Sequence, residues 1–445
     1  MSTIEEVSAV RVVIAVSGTR GDVQPAVLLG IELAGRGHRV VVAVPPNLAS
    51  FARGAGLEAV ELGYDTREHM NSDLVRHGVS RGSILERARA VATLWNFGWD
   101  EMVRDMTEIV DDVRPDVIVT GIMTEQIALP LAQRCGAGLV SLHHAPVRAN
   151  GRYSAIPGWE GLPRIVTEAS WSLLSQALWA ATRCRENRLR RNMGLPTVWS
   201  PLPGRMAKYG CAEIQAYDTA FCPELEAEWG ERRPFVGFLE MSSAQRSTMD
   251  PTEPDDAIEA WIDGGSPPVY VGFGSMPVSN PEAAVAAAAL ACARLGQRAL
   301  ISAGWNDVDT ADHGDHVLVT GTVDHETVFP RCRAVVHHGG AGSTAAGIRA
   351  GRPTVICSIA SDQPFWGRRI VEHSCGAAMP FADLSADSLE AALRIALTPE
   401  SAAGARRLSD AMTAPDAALG RAADLVESAH AAAAANRTPA EKGAW

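Results

Sequence analysis

The sequence predicts an α/β protein of two facing Rossmann-like domains with a cleft between them. Three observations carry that prediction. The chain has 445 residues, more than one hydrophobic core usually organises, so two units of about 200 residues each are expected. Short apolar runs of strand length alternate with helical patterning, as parallel sheets require. The alternation occurs in two blocks, separated by a stretch rich in Pro, Glu, Ser and Asp.

The first block opens with RVVIAVS at 11–17, a continuous apolar run of the kind a buried parallel strand needs. It ends in the turn Gly18-Thr19-Arg20-Gly21, and a helix is expected to follow. Asp22 is placed at its N-cap and Pro25 in the first turn, with Val27, Leu28, Ile31 and Ala34 on the apolar face, and Gly35 and Gly37 closing it. Further strands are expected at 40–44, 116–120 and 138–142, then, in the second block, at 268–273, 298–302, 316–320, 333–338 and 353–357. The chain therefore divides into a first domain over 1–225, a linker over 226–256 and a second domain over 257–428. Residues 429–445, alanine-rich and weakly patterned, are expected to form a frayed or disordered tail.

Hydrophobic residues make up 47% and charged residues 21% of the chain, which suits two ordinary cores. The net charge of -12 excludes the clustered basic footprint of a nucleic-acid-binding protein. Arg183, Arg185, Arg188, Arg190 and Arg191 are a local exception: a solvated helix face is the simplest reading, peripheral contact with a membrane or an acidic partner the other. The eight cysteines lack the spacing of a zinc site and read as reduced core residues. Neither a signal peptide nor a membrane span is visible, so a cytoplasmic location is expected.

Ligands of open α/β sheets bind beyond the carboxyl ends of the strands, so the loops there are where chemistry is sought. His337-His338-Gly339-Gly340-Ala341-Gly342-Ser343-Thr344 follows the strand RAVV and opens a helix. Its glycines allow close backbone approach, and a helix start favours phosphate, with Ser343 and Thr344 adding hydroxyls. A histidine there can donate to a leaving diphosphate as charge develops. A plain glycine-rich turn reads equally well. Asp362 and Gln363 can grip neighbouring sugar hydroxyls, or Asp362 can simply cap a helix. Ser275 follows the first strand of the second block, and Trp305 offers a ring for a nucleobase or for ordinary packing. In the first domain, Asp22 either caps its helix or takes the proton of an acceptor hydroxyl. Tryptophans 95, 99, 159, 171, 179 and 199 line an apolar acceptor pocket or belong to the core, and His143 and His144, at the end of the strand GLVSL, either border that pocket or take core or capping roles.

The segments SGTRGDVQP, HHGGAGST and SDQPFWG together resemble the UDP-glycosyltransferase family of GT-B architecture, in particular bacterial and fungal glucosyltransferases that modify sterols, macrolides, glycopeptides and glycolipids. The likeness spans nearly the whole chain and is weakest over 65–215. It implies an inverting, metal-independent enzyme of the hexosyltransferase class, with no cofactor. A UDP- or dTDP-sugar would be the co-substrate, held by the second domain, and a hydrophobic small molecule the acceptor, held by the first. The resemblance makes Asp22 the base and brings Thr19 and Arg20 near the diphosphate. His338 sits on that diphosphate, with Gly340, Gly342, Ser343 and Thr344 as its cradle. Asp362 and Gln363 hold the sugar, the Val323 backbone pairs with the pyrimidine, and His325 lies close to the donor. Gly321-Thr322 replaces a stacking tryptophan and Ala346 a ribose-binding glutamate of plant relatives, which leaves uracil or thymine open. Acceptor identity, sugar and oligomeric state are also open. Two other readings compete: a nicotinamide-dependent oxidoreductase, because Gly340-Ala341-Gly342-Ser343-Thr344-Ala345 fits G-x-G-x-x-A, and a non-catalytic sugar-nucleotide-binding protein.

Overall fold

The computed structural model describes residues 9–71, 97–156, 161–241, 245, 256–274, 280–303 and 314–436. The first sheet comprises β1 (Arg11–Ala15), β2 (Arg39–Val44), β3 (Glu58–Glu61), β4 (Val117–Gly121), β5 (Gly138–His143) and β6 (Ala212–Gln215). The second comprises β7 (Val269–Gly272), β8 (Ala299–Ser302), β9 (Val317–Thr320), β10 (Ala334–His337), β11 (Thr354–Ser358) and β12 (Gly376–Pro380). Both are six-stranded, in the orders β3-β2-β1-β4-β5-β6 and β12-β11-β10-β7-β8-β9, and every pairing is parallel. Each apolar run expected to be a strand is one.

The centre of each sheet is apolar because helices cover both faces. Along β1, Val12 and Ile14 enter one core layer while Val13 and Ala15 enter the opposite one, as the two-residue strand period demands. Each buried valine or isoleucine there contributes about 1.5–3 kcal/mol by leaving water. In both sheets the strand order reverses beside the domain's first strand, between β1 and β4 and between β7 and β10. Loops leaving those neighbours diverge and open a crevice at the carboxyl ends. Thr124 Oγ1 ties the loop after β4 to β1 by donating to the Ala15 carbonyl at 2.8 Å.

The structure departs from the expected organisation in two places. Part of the stretch expected to be a linker is packed: among its described residues, Trp229, Val236, Phe238, Leu239 and Met241 are buried. Beyond 429 a helix continues where a tail was expected, spanning Pro415–Asn436. It lies against the first domain, with Ala418, Leu419, Ala422, Ala423 and Val426 in that domain's core. Arg36 reaches its Asp424 at 2.7 Å, and His38 Nε2 meets Glu427 Oε1 at 2.9 Å. Tyr217, Phe221 and Phe238 from the first half pack with Phe365, Trp366 and Ile370 from the second in a shared apolar cluster. Among the described residues, no helix is long and apolar enough to cross a membrane.

Candidate active site

The loop after β1 builds its site around one carboxylate. Thr19, not Asp22, is the N-cap of the helix Arg20–Gly35, with Gly21 N–H donating to Thr19 Oγ1 at 3.3 Å. Asp22 is the third helical residue and closes a capping box, accepting the Thr19 N–H at 2.9 Å. The sequence reading misplaced the cap because Thr and Asp are comparable caps three residues apart. Gly18 is at φ +143°, and a Cβ there would lie 2.2 Å from Asp22 Oδ2, so the carboxylate occupies the space a side chain would fill. Burial, with a smaller contribution from the charge of Asp362, pushes Asp22 up to about 6 against the Thr19 N–H bond. Arg20 lies over the Phe51 ring at 4.6 Å and donates to Gln24 Oε1 at 3.1 Å, so its guanidinium is engaged within its own domain.

The loop after β10 presents His338 between two glycines. A Cβ on Gly274, in the loop after β7, would lie 3.2 Å from His338 Cε1, and one on Gly340 would lie 2.7 Å from His338 Nε2. Burial holds this imidazole down to about 4, so it is neutral, and its Nδ1 is buried without a partner. Such a ring has an unspent hydrogen bond to offer. Gly340 is the N-cap of the helix Ala341–Arg349, whose first N–H groups have no partner within the helix, with Gly342 exposed and Ser343 half-buried. Thr344 does not join that cradle: it is fully buried and its hydroxyl donates to the Gly340 carbonyl at 2.9 Å, bracing the turn. His337 is turned inward, its Nδ1 accepting the Gly339 N–H at 2.9 Å.

Asp362 and Gln363 stand directly beside that turn, since a Cβ on Gly339 would lie 3.2 Å from Gln363 Cβ. Asp362 occupies the N-cap position of the helix Gln363–Glu372 yet makes no capping bond. Its Oδ2 instead accepts the Trp366 indole N–H at 2.8 Å. Burial raises its pKa and the indole N–H opposes that. Gln363 gives its amide oxygen to the loop, accepting from Ile359 N–H at 2.7 Å and Ala360 N–H at 3.1 Å. The preceding Ser361 is at φ +59°, a left-handed conformation uncommon outside glycine. Trp366 escaped the sequence reading as a site residue, because an apolar face explains a tryptophan four residues into a helix.

The remaining candidates are dispersed. Val323 is half-buried against the second core, and the His325 ring stacks on Phe329 at 4.3 Å between centroids. Ser275 and Trp305 lie outside the described residues, as do Trp95 and Trp159. Trp99 belongs to the core and Trp171 donates to the Tyr153 carbonyl at 2.8 Å, whereas Trp199 is 77% exposed. Trp179 is half-buried, with the Arg183 guanidinium over its ring at 5.6 Å. The arginine run also splits: Arg185 and Arg190 turn inward to Gln126 and Gln133, while Arg183, Arg188 and Arg191 are exposed. Six cysteines are buried, Cys135 is half-buried and Cys184 is exposed.

His143 proves to be a core residue in a charged network that spacing could not reveal. Arg148 Nε donates to Glu213 at 2.5 Å and its Nη2 to Glu125 at 2.5 Å, while His143 Nε2 lies 2.8 Å from Glu125. Burial pushes Glu125 up, yet Arg148 and His143 outweigh it and hold the group down to about 2. Gln215 links His143 to the Tyr217 hydroxyl, and the Tyr217 ring meets Trp366 edge-on. His144, half-buried at the carboxyl end of β5, is held down to about 4 by burial.

Comparison with known proteins shows the family. The glycosyltransferase family 28 N-terminal domain matches residues 12–131, and the erythromycin biosynthesis protein CIII-like C-terminal domain matches 302–427. An uncharacterized glycosyltransferase of Mycobacterium tuberculosis is 41% identical over 94% of this chain and 98% of its own length. The chain is a glycosyltransferase. The enzyme is also 29% identical to a sterol 3-beta-glucosyltransferase of Arabidopsis thaliana, over 94% of this chain and 65% of the plant protein. Its fold is the GT-B architecture of a spinosyn rhamnosyltransferase solved with thymidine diphosphate, at TM-score 0.60 and 19% identity, covering 93% of this chain and all of that one. The nicotinamide reading gives way accordingly: the G-x-G-x-x-A motif of this glycosyltransferase follows β10, the fourth strand of its sheet in chain order, whereas a dinucleotide fingerprint follows the first.

Proposed function

We propose that this enzyme transfers a sugar, with inversion and without a metal, from a uridine or thymidine diphosphate donor to a hydroxyl of an apolar small molecule. The observation that carries the reading is the pairing of carboxylates across the two halves: Asp362, beside the glycine turn, is close enough for its charge to raise the pKa of Asp22. The donor diphosphate rests on the N–H groups that start the helix Ala341–Arg349. A neutral His338 donates to it as the glycosidic oxygen takes on charge, the role a cation plays elsewhere. Asp362 and the Gln363 amide N–H groups hold sugar hydroxyls. Asp22, ionised above about 6, accepts the acceptor's proton as the new C–O bond forms on the face opposite the departing diphosphate.

The thymidine diphosphate of the spinosyn enzyme and the sterol substrate of the plant relative support the donor and acceptor classes. Incubating the purified enzyme with a panel of sugar nucleotides and apolar alcohols, followed by mass spectrometry, tests the reading. A hexose-sized mass gain on an alcohol, opposite in anomeric configuration to the donor and insensitive to chelator, is expected. Retention of configuration would refute the single displacement at Asp22.

A further inference from the structure

The 29-residue helix Arg164–Asn192 is packed inside out. Its buried residues are Thr167, Ser170, Thr182, Glu186, Leu189 and Arg190, almost all polar. They are satisfied by specific partners: Gln126 Nε2 donates to Thr182 and Glu186 at 2.8 and 2.9 Å, and Arg190 Nη1 donates to Gln133 at 2.7 Å. Part of its apolar surface faces outward, while Leu189 is buried and Val166, Trp171, Leu178 and Trp179 are half-buried. Ile165 is 80% and Leu173 59% exposed, and with the exposed Ala169 and Ala180 they follow the three- and four-residue spacing of one helix face. Arg183, Arg188 and Arg191 continue that face toward the carboxyl end. The loop that follows folds back, with Val198 N–H donating to Asn187 Oδ1 at 2.8 Å, which returns the chain to the carboxyl-terminal part of the helix just before Trp199, itself 77% exposed.

We propose that this face docks on an anionic lipid membrane. Exposed apolar side chains in a contiguous row mark a contact surface, not a solvated one. Arginines and a tryptophan at one end suit the headgroup layer, and aliphatic side chains along the rest suit the boundary of the acyl chains. From Ile165 to Arg191 the row runs about 40 Å, longer than a small acceptor and matched to an extended surface. A parallel two-fold pairing with a second copy would set arginine against arginine. The body of the protein, at net charge -12, is repelled by anionic lipid, so the arginine end selects which face lands. This inference stands apart from the assignment of base and donor site, and would give the enzyme access to acceptors dissolved in the bilayer.

Sedimentation of the full-length protein with vesicles of equal parts phosphatidylglycerol and phosphatidylcholine, and with pure phosphatidylcholine vesicles, tests it. Binding to the mixed vesicles is expected, weakened by salt and feeble on phosphatidylcholine alone. Ile165→Asn with Leu173→Asn is expected to lower partitioning roughly tenfold or more, and Arg183→Gln with Arg188→Gln and Arg191→Gln about a hundredfold. Thermal midpoint and turnover of a soluble acceptor should stay unchanged, since all five side chains are exposed. No binding by the unaltered protein overturns the proposal, as does equal binding by the variants. Loss of soluble-acceptor turnover in Ile165→Asn with Leu173→Asn would make the face an acceptor wall, and a halved particle mass would make it a subunit contact; either result also overturns it.

Discussion

Asp22→Asn is expected to silence turnover and raise stability together. The amide oxygen of Asn can still accept the Thr19 N–H that the carboxylate accepts at 2.9 Å, so the capping box survives. What disappears is the charge. The carboxylate is raised from 3.8 to about 6, close to two pKa units, which corresponds to at most ~3 kcal/mol working against the ionised form. Its folded pKa lies above its unfolded one, so the ionised group detracts from stability at pH above about 6, and the penalty fades as pH falls toward 3.8, where both states hold the proton. Asn should therefore stabilise the protein by roughly 1–3 kcal/mol well above the folded pKa and by nothing below the unfolded one. Turnover should fall about 10²- to 10⁴-fold, the usual contribution of a positioned base, while the donor Kd holds. Thermal melts at the two pH extremes, single-turnover kinetics and calorimetric donor titration measure the three quantities. A variant that keeps turnover within a factor of about ten, or whose stabilisation ignores pH, would falsify the base assignment.

Four further outcomes follow from the same geometry. The profile of kcat/KM against pH should descend on its acid limb with an apparent pKa near 6, set by Asp22; a limb near 4 would make the group ordinary. Trp366→Phe keeps a ring among Tyr217, Phe221 and Phe238 but deletes the N–H that holds Asp362 at 2.8 Å. Sugar-nucleotide affinity should drop roughly tenfold, in line with about 1.5–3 kcal/mol for a bond to a charged group, with affinity for the bare nucleoside diphosphate unchanged by competitive inhibition. Gly18→Ala drives a Cβ into Asp22 Oδ2, 2.2 Å away; turnover should fall far more than the thermal midpoint, and equal losses would point to a general folding defect. Arg148→Met strands Glu125 and Glu213 without their shared partner, and a loss of about 3–5 kcal/mol in denaturant titration is expected.

How much of this was readable in the linear chain depends on burial. The nine strands legible as apolar runs include every central strand, where both faces are covered and the composition has no freedom. The three that escaped, β3 (EAVE), β6 (AEIQ) and β12 (GAAMP), are all sheet edges, and an edge strand needs only part of its surface to be apolar. The terminal helix was masked by alanine, which packs well but gives little contrast between faces. Among the candidate site residues, the glycine loops and the carboxylates Asp22 and Asp362 stood out because special backbone and charge leave a mark in sequence. The direction of a hydroxyl leaves none, so Thr344 looked like a ligand while it braces its own turn. Nor does a long-range bond: Arg148 and Glu213 are 65 positions apart, and only folding joins them.

The return of the helix Pro415–Asn436 to the opposite half has a consequence for anyone who would recombine such enzymes. Its alanines, leucine and valine fill a flank of the first sheet, and Arg36 and His38 are clamped by its acidic residues. A hybrid joined only once, between Met241 and Asp256, would place a foreign helix against this surface, with new side chains in an old groove. Two junctions are needed, one before the second sheet and one ahead of Pro415, so that each half keeps the piece of chain that seals it.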